Sequence, residues 1–468
     1  MLKKYFLLIF ILIVFLFPVK GQEMWGISNS NFSGNMGIFL NPSTIVGAPY
    51  QYEINLAALD LFAENTNIYV LESDKYIFHS LTGYARDGRN FYTRNPQLNN
   101  SFGHGLLIGP SYIRNKTTSG WGIHTALRTE VSTVHMSPEL ALFLSDKFLS
   151  QILFGDTIAS PAFKTAYASW IEIGGTYGKI LRESEYHIIK WAATGNILIG
   201  MNAFYADNKS LNFTSVDSSQ VLIHSIDQTI GHSINDNGGS IFGLRGMGLS
   251  TTVGLTYINH PNRGAFDCNM SNDKQKKYKY RLGFSLLDLG TIYYFNKAQK
   301  TELHTTVSQP WNGVDTFAFT SFQSLDTNFV KIVGGETKSK NFNLWLPLGG
   351  SIQFDYQIRA NLFANLSWVN RIRFTANEIA RGNQLNASLR YERRRYEANV
   401  NFSFFEYKRP SMGVGLRYRF FVIGSDRLLQ TLGLAEEKSF DLFVGLKFQF
   451  CKRPFSPGPD CPAYMGGN

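Results

Sequence analysis

The sequence predicts an all-β protein: a transmembrane antiparallel β-barrel of about 14 strands, with an N-terminal lumen segment and short helices in its loops. Three observations carry that prediction. The chain opens on an export-type leader, its body alternates apolar and polar residues over long segments, and no later stretch is apolar enough for a membrane helix.

In "MLKKYFLLIFILIVFLFPVKGQE", Lys3 and Lys4 form a positive region, Tyr5 to Phe17 an apolar core, and Val19 and Gly21 a small-residue pair ahead of a cut before Gln22. The apolar run falls short of the roughly 20 residues that a spanning helix needs, so residues 1–21 read as a cleaved signal peptide. No Cys follows the cut, which argues against a lipid-anchored lipoprotein.

Residues 22–50 read as a plug segment inside the lumen. Gly34, Gly37 and Pro42 permit tight turns, the Asn, Ser and Thr residues suit a polar wall, and Trp25, Phe32, Ile38 and Phe39 supply packing.

Residues 51–450 read as the barrel. In "YEANVNFSF", Tyr396, Ala398, Val400, Phe402 and Phe404 alternate with Glu397, Asn399, Asn401 and Ser403, and in "LNASLRYE" Leu385 to Tyr391 do the same against Asn386 to Glu392. Such a strand has one face in an apolar and one in a polar environment. Strands of a soluble sandwich run about 5 to 6 residues, whereas many of these reach the length that crosses a bilayer at a tilt. Candidates lie at 51–63, 102–114, 120–132, 168–181, 186–206, 209–226, 247–259, 277–296, 341–354, 357–373, 382–392, 395–406, 409–423 and 438–450. An even count puts both termini on the periplasmic side, yet on this count the short turns "DYQ" and "ERR" fall on the side of the long loops. Two connections have helical periodicity. "SPELALFLSDKFLSQILFG" offers Ser137 as a cap and an apolar stripe from Leu140 to Leu153, and "GSDRLLQTLG" is a shorter example.

The last strand, "DLFVGLKFQF", turns Leu442, Val444, Leu446, Phe448 and Phe450 to lipid and the odd positions to the lumen. Its Gly445, Phe448 and Phe450 fit a pattern of terminal strands that resembles the signal of the outer-membrane assembly machinery, with Phe443 less polar than that pattern prefers. Residues 451–468 read as a periplasmic Cys/Pro tail. Export permits a disulfide, and Cys451 and Cys461 share the tail, whereas Cys268 is expected across the membrane from both.

Composition agrees with a barrel. Aromatic residues are 15%, Gly numbers 42, and charged residues are 17% against about 25% in soluble domains. The net charge of +10 gathers in "DKQKKYKYR" and "RYERRRYE", which suits lipid headgroups at strand ends better than nucleic acid in an exported chain.

Four stretches carry a resemblance: "GISNSNFSGNMGIFLNPSTI" (26–45), "YRLGFSLLDLGTIYY" (280–294), "LPLGGSIQFDYQIRANLF" (346–363) and "RYERRRYEANVNFSFFEYKRPSMGVGLRYRFFVIGSDRLL" (390–429). Together they resemble a family of uncharacterised outer-membrane barrel proteins of Bacteroidota, itself distantly similar to long-chain fatty-acid transporter barrels and to type IX secretion barrel subunits. The resemblance implies a monomeric barrel in the outer membrane of a Gram-negative bacterium with its N-terminal segment in the lumen. It implies no catalytic or ligand-binding residues. Some relatives append a peptidoglycan-binding domain, where this chain has the short tail.

No GxSxG, HExxH or metal-ligand spacing occurs, so neither an enzyme nor a cofactor is expected. Lumen-facing polar candidates are His124, Arg128, Glu130, Arg390, Glu392, Arg417, Arg419 and Lys447. Charges of both signs suit cross-strand pairing in a wet or plugged interior better than a selective pore, which favours a ring of one sign. Two functions follow as expectations: passage of small hydrophobic or amphipathic molecules, or a structural or interaction barrel that partners secretion or assembly machinery. The expected contacts are outer-membrane lipid, the assembly machinery during insertion, and a hydrophobic ligand or secretion-complex subunits, with no nucleic acid.

Overall fold

The computed structural model describes residues 24–66, 68–70, 91–93, 98–116, 118–145, 153–234, 243–259, 278–313, 330–373, 375, 377–432, 434 and 439–450. The leader, Cys268, Cys451, Cys461 and the tail lie outside them, and with them signal cleavage and the disulfide.

Fourteen antiparallel strands form the wall. They are β1 (Tyr52–Asn65), β2 (Asn99–Ile108, resumed at Ser111–Asn115), β3 (Ser119–Met136), β4 (Phe163–Glu183) and β5 (His187–Ser215). There follow β6 (Gly246–Asn259), β7 (Tyr280–Tyr294), β8 (Phe342–Trp345, resumed at Gly349–Arg359), β9 (Leu362–Arg371) and β10 (Gln384–Glu392). The wall ends with β11 (Tyr396–Phe405), β12 (Arg409–Tyr418), β13 (Phe421–Ser425) and β14 (Ser439–Phe450). β14 pairs antiparallel with β1 from Tyr52 opposite Phe450 to Glu64 opposite Ser439, which closes the cylinder. This pairing satisfies the edges of the first and last strands against each other.

The burial pattern is inside out for a protein in water. Outward residues such as Ile123, Leu249, Leu389 and Phe402 are exposed, whereas inward Glu53, Asn55, Arg390, Asn401 and Asp441 are fully buried. An apolar exterior around a polar core is stable only against lipid, so the wall is a membrane-spanning one. Among the described residues no helix is long and apolar enough to cross a membrane.

The strand number agrees with the sequence-based count through two cancelling differences. Residues 209–215 continue β5, and 220–233 is a strand outside the wall; conversely 409–423 is two strands, because 419–420 turn between β12 and β13. Removing one strand early reverses every later one up to that split. Turns 116–118, 184–186, 360–361, 393–395 and 419–420 therefore all fall on the rim that carries both ends of the wall, the turn rim. The connection from Asn259 to Tyr280 leaves and re-enters there too, on the rim of Phe450, contrary to the expectation that set Cys268 across the membrane from Cys451. The connection from Asn65 to Asn99 belongs to the opposite loop rim. Of the two short turns of the sequence reading, "ERR" moves to the turn rim, whereas "DYQ" is no turn: Asp355, Tyr356 and Gln357 lie inside β8, which turns at 360–361.

β5 is too long for a bilayer. Its first part, to Gly200, pairs with β6, and from Ala203 it pairs with 220–233. That strand pairs in turn with 298–305 and 309–312, and 298–305 with 335–339, so a second sheet rises from the loop rim as a canopy. Helix α2 (Pro138–Ser145) covers one canopy face with Leu140, Ala141, Leu142 and Phe143 against Phe213, Ile223 and Trp311. Ser137 Oγ accepts the amide of Leu140 at 3.3 Å as its cap. The opposite face is polar, with pairs such as Lys209–Asp227 at 3.4 Å.

Candidate functional site

The lumen is filled from the N-terminus. Residues 24–50 lie inside the wall, with one turn of helix, α1 (Asn35–Ile38), and a 3-10 turn at Pro42–Ile45. Gly34 starts α1 at φ +61°, and a Cβ there would run into the Glu53 carboxylate of β1. Only glycine meets both conditions.

A segment with so little regular structure needs partners for its backbone, and the wall supplies cations and amides. Lys447 Nζ donates to the carbonyls of Phe32 and Ser33 at 2.6 and 2.8 Å, Arg281 Nη2 to that of Asn29 at 2.6 Å, and Lys190 Nζ to that of Val46 at 2.6 Å. Plug side chains answer wall carboxylates: Ser30 Oγ donates to Glu397 at 2.8 Å and Asn31 Nδ2 to Glu392 at 2.8 Å. Nearer the loop rim the Trp25 amide donates to Asp426 at 2.9 Å and its indole to Gln384 at 2.6 Å. From Trp25 to Tyr50 the plug thus runs from the loop-rim half to the turn rim.

Around the plug anchors runs a first ion network. Arg390 bridges Asp355 at 3.2 Å and Glu392, Arg281 reaches Asp355 at 3.2 Å, and Arg417 Nε donates to Glu397 at 3.0 Å while its guanidinium lies over the Phe32 ring. Buried charges persist in such a setting only when paired and hydrogen-bonded.

A second network stands in the loop-rim half. Arg128 Nη1 and Nη2 donate to the two oxygens of Asp288 at 2.8 and 2.9 Å, and Nη2 also to Glu130 at 3.0 Å. Arg381, from the inward connection between β9 and β10, donates to Asp288, and His104 Nδ1 meets Glu130. His124 Nε2 lies 3.2 Å from Glu172 and packs against the edge of Phe39. Asp288 reaches this position because Leu287 and Asp288 form a bulge opposite Thr252, with Asp288 at φ +54°. A bulge turns two consecutive side chains inward.

Above this network a cavity of about 360 Å³ opens toward the loop rim, lined by Ser132, Val134, Lys164, Arg373, Glu378 and Ala380. Ala380 is shared with a smaller cavity below, walled by Phe62, Phe102 and Val131 and floored by His104, Glu130 and Arg381. Phe62 carries the path to the wall, since the Arg427 guanidinium lies 5.4 Å from its ring and pairs with Glu64 at 2.8 Å.

At Arg427 the wall changes character. β13 ends at Ser425, and between the loop-rim halves of β12 and β14 the described residues form a helical turn, α3 (Leu428–Thr431). Thr431 Oγ1 donates to the Asp441 carbonyl at 3.0 Å and accepts its amide at 3.2 Å, so one hydroxyl stands in for a strand. Leu429 and Leu432 are exposed on the outer side.

Of the residues that the sequence singles out, His124, Arg128 and Glu130 join the second network and Arg390, Glu392, Arg417 and Lys447 the plug network. Arg419 does neither. It is exposed in the turn after β12 at φ +54° and lies over the Tyr418 ring, because the strand ends one residue before it. The alternation missed Asp288, whose bulge breaks the period, and Arg381, which sits in a connection with no period. Asp355 was missed because "DYQ" was read as a turn; the strand runs on to Arg359, with Ile352, Phe354, Tyr356 and Ile358 exposed and Asp355 inward between them. Among the described residues no His, Cys, Asp and Glu cluster is arranged to hold a metal.

A family of unknown function, DUF5723, matches residues 44–426. Among solved structures, the Ralstonia pickettii toluene transporter TbuX is similar at 10% identity and TM-score 0.41, over 89% of this chain and 94% of that one. The deltaS2S3 mutant of TodX, a monoaromatic hydrocarbon channel from Pseudomonas putida, is similar at 11% identity and TM-score 0.42, over 90% and 95%. A Pseudomonas aeruginosa FadL homologue is similar at 9% identity and TM-score 0.23, over 93% and 99%. No curated protein matches the chain.

Proposed function

We propose that this chain, which belongs to the DUF5723 family, is an outer-membrane barrel that admits small hydrophobic or amphipathic molecules at the loop rim and releases them sideways into the bilayer. The observation that carries the reading is the open cavity, the small cavity beside Phe62 and Phe102 beneath it, and the single guanidinium, that of Arg427 on the Phe62 ring, that separates Phe62 from the wall interruption at α3. The axial route is filled by the plug, and the lateral direction is closed by the Arg427 side chain. Five short turns share the rim that carries both ends of the wall, together with the longer connection from Asn259 to Tyr280, and their number supports reading that rim as periplasmic and entry from the opposite side.

Reconstitution into vesicles with a fluorescent apolar probe tests the reading. Arg427→Ala, which removes the cation over Phe62, is expected to raise the rate of probe entry into the bilayer. No transfer by the wild-type barrel, or transfer that responds only to removal of the plug, would overturn it. A second reading, a barrel that partners secretion or assembly machinery, is favoured by the canopy, whose own apolar core passage does not require. Purification in mild detergent with a subunit bound through the canopy would support that reading instead.

A further inference from the structure

The turn rim carries an arc of arginines that neither the plug nor the lateral path uses. β8 to β13 are neighbours in the wall, so Arg359, the run Arg393, Arg394 and Arg395, and Arg419 stand on three adjacent turns. The Arg419 amide donates to the Arg395 carbonyl at 2.6 Å, which joins two of these turns directly. From inside, Arg417 donates to the carbonyls of Arg393 and Arg394 at 2.9 and 3.2 Å and fixes the middle turn.

The charge of the arc is of one sign. Glu392 and Glu397, which flank the middle turn in sequence, are buried on the lumen side with Arg390 and Arg417. By contrast, Arg182 on the far side of the same rim is followed by Glu183 and Glu185. Arg359, Arg394, Arg395 and Arg419 are exposed.

The aromatic residues set the depth. Tyr391 and Tyr396 stack on the outer face with the Arg393 guanidinium 5.8 and 5.7 Å from their centroids, and Arg419 lies 5.6 Å from that of Tyr418, which is 62% exposed. Tyrosines of this kind lie at the level of lipid headgroups, with apolar residues such as Leu389 and Leu416 deeper on the same face. The guanidiniums therefore stand where phosphodiesters of the adjacent leaflet stand, and planar donors suit phosphate oxygens.

We propose that this arc is a binding site for an anionic phospholipid, with Arg394, Arg395 and Arg419 on the headgroup phosphates and Tyr391, Tyr396 and Tyr418 along the upper acyl region. A free phosphate ion shares the first contact and lacks the second. The site is independent of any transport role.

Native mass spectrometry of the full chain, with phosphatidylglycerol and phosphatidylcholine in neutral detergent, tests the proposal. The wild-type barrel is expected to retain phosphatidylglycerol preferentially. The variant Arg394→Gln/Arg395→Gln/Arg419→Gln is expected to lose affinity roughly a hundredfold, from about fivefold per cation at an anionic surface. Arg394→Gln alone, at an exposed side chain, is expected to lose about fivefold and serves if the triple variant does not fold. Lys209→Gln in the canopy is expected to change nothing. Equal retention of both lipids, displacement by millimolar inorganic phosphate, unchanged affinity in the folded variants, or capture of an acidic peptide in place of lipid would each overturn it.

Discussion

Two ion networks line one lumen and differ in what completes them. The network around Arg390, Arg417 and Lys447 takes part of its hydrogen bonding from the plug, through Ser30, Asn31 and the carbonyls of Asn29, Phe32 and Ser33. The network around Arg128, Asp288 and Arg381 draws on wall strands and on the connection between β9 and β10, and meets the plug where Phe39 packs against His124. The first network holds the plug in place, whereas the second braces the wall beneath the open cavity. Buried charge thus serves two ends within one cylinder, and the two are separable by mutation.

The strongest way to break the comparison is Asp288→Ala. It removes the carboxylate shared by Arg128 and Arg381 and leaves Arg128 to Glu130 and Glu172, and it is expected to cost about 3 kcal/mol, read as a lower unfolding temperature of the purified barrel. Hydrogen exchange of plug amides 28–40 is expected to stay slow below that temperature. Fast exchange there would show that the networks are one.

Lys447→Met acts from the other side. Losing two charge-assisted bonds to plug carbonyls is expected to cost about 2–3 kcal/mol, concentrated as faster exchange around Phe32 and Ser33. Gly34→Ala probes the same plug through its backbone, and a left-handed residue pressed on Glu53 is expected to cost about 1–3 kcal/mol and to loosen α1. The smallest effect is expected outside the lumen. A double-mutant cycle on the exposed Lys209–Asp227 pair is expected to give a coupling under about 1 kcal/mol that vanishes in high salt. A larger value would mean that the canopy, too, is held by charge.

The barrel was legible in the alternation of strands such as "YEANVNFSF", because side-chain direction in a strand is a local property of period two. Where that period breaks, legibility ends. The bulge at Leu287 and Asp288 hides the carboxylate at the centre of the second network, and the turn at 419–420 sends Arg419 to the rim although the alternation assigns it to the lumen. The run 186–226 shows the opposite failure: β5 continues unbroken through 206–209, so two apparent strands are one and the next is canopy. Nothing local marks the level at which a strand leaves the membrane.

The sequence by itself determined that the chain is a barrel, which face of most strands meets lipid, and that the lumen holds charges of both signs. Only the tertiary structure decided which charges meet, where the wall is interrupted, and how the plug is tied. Trp25 and Asp426, or Phe32 and Lys447, are some 400 residues apart and come together only through closure of β14 on β1. Alternation follows from the backbone geometry of neighbouring residues. Pairing across the lumen follows from strand register and closure, which involve the whole chain at once.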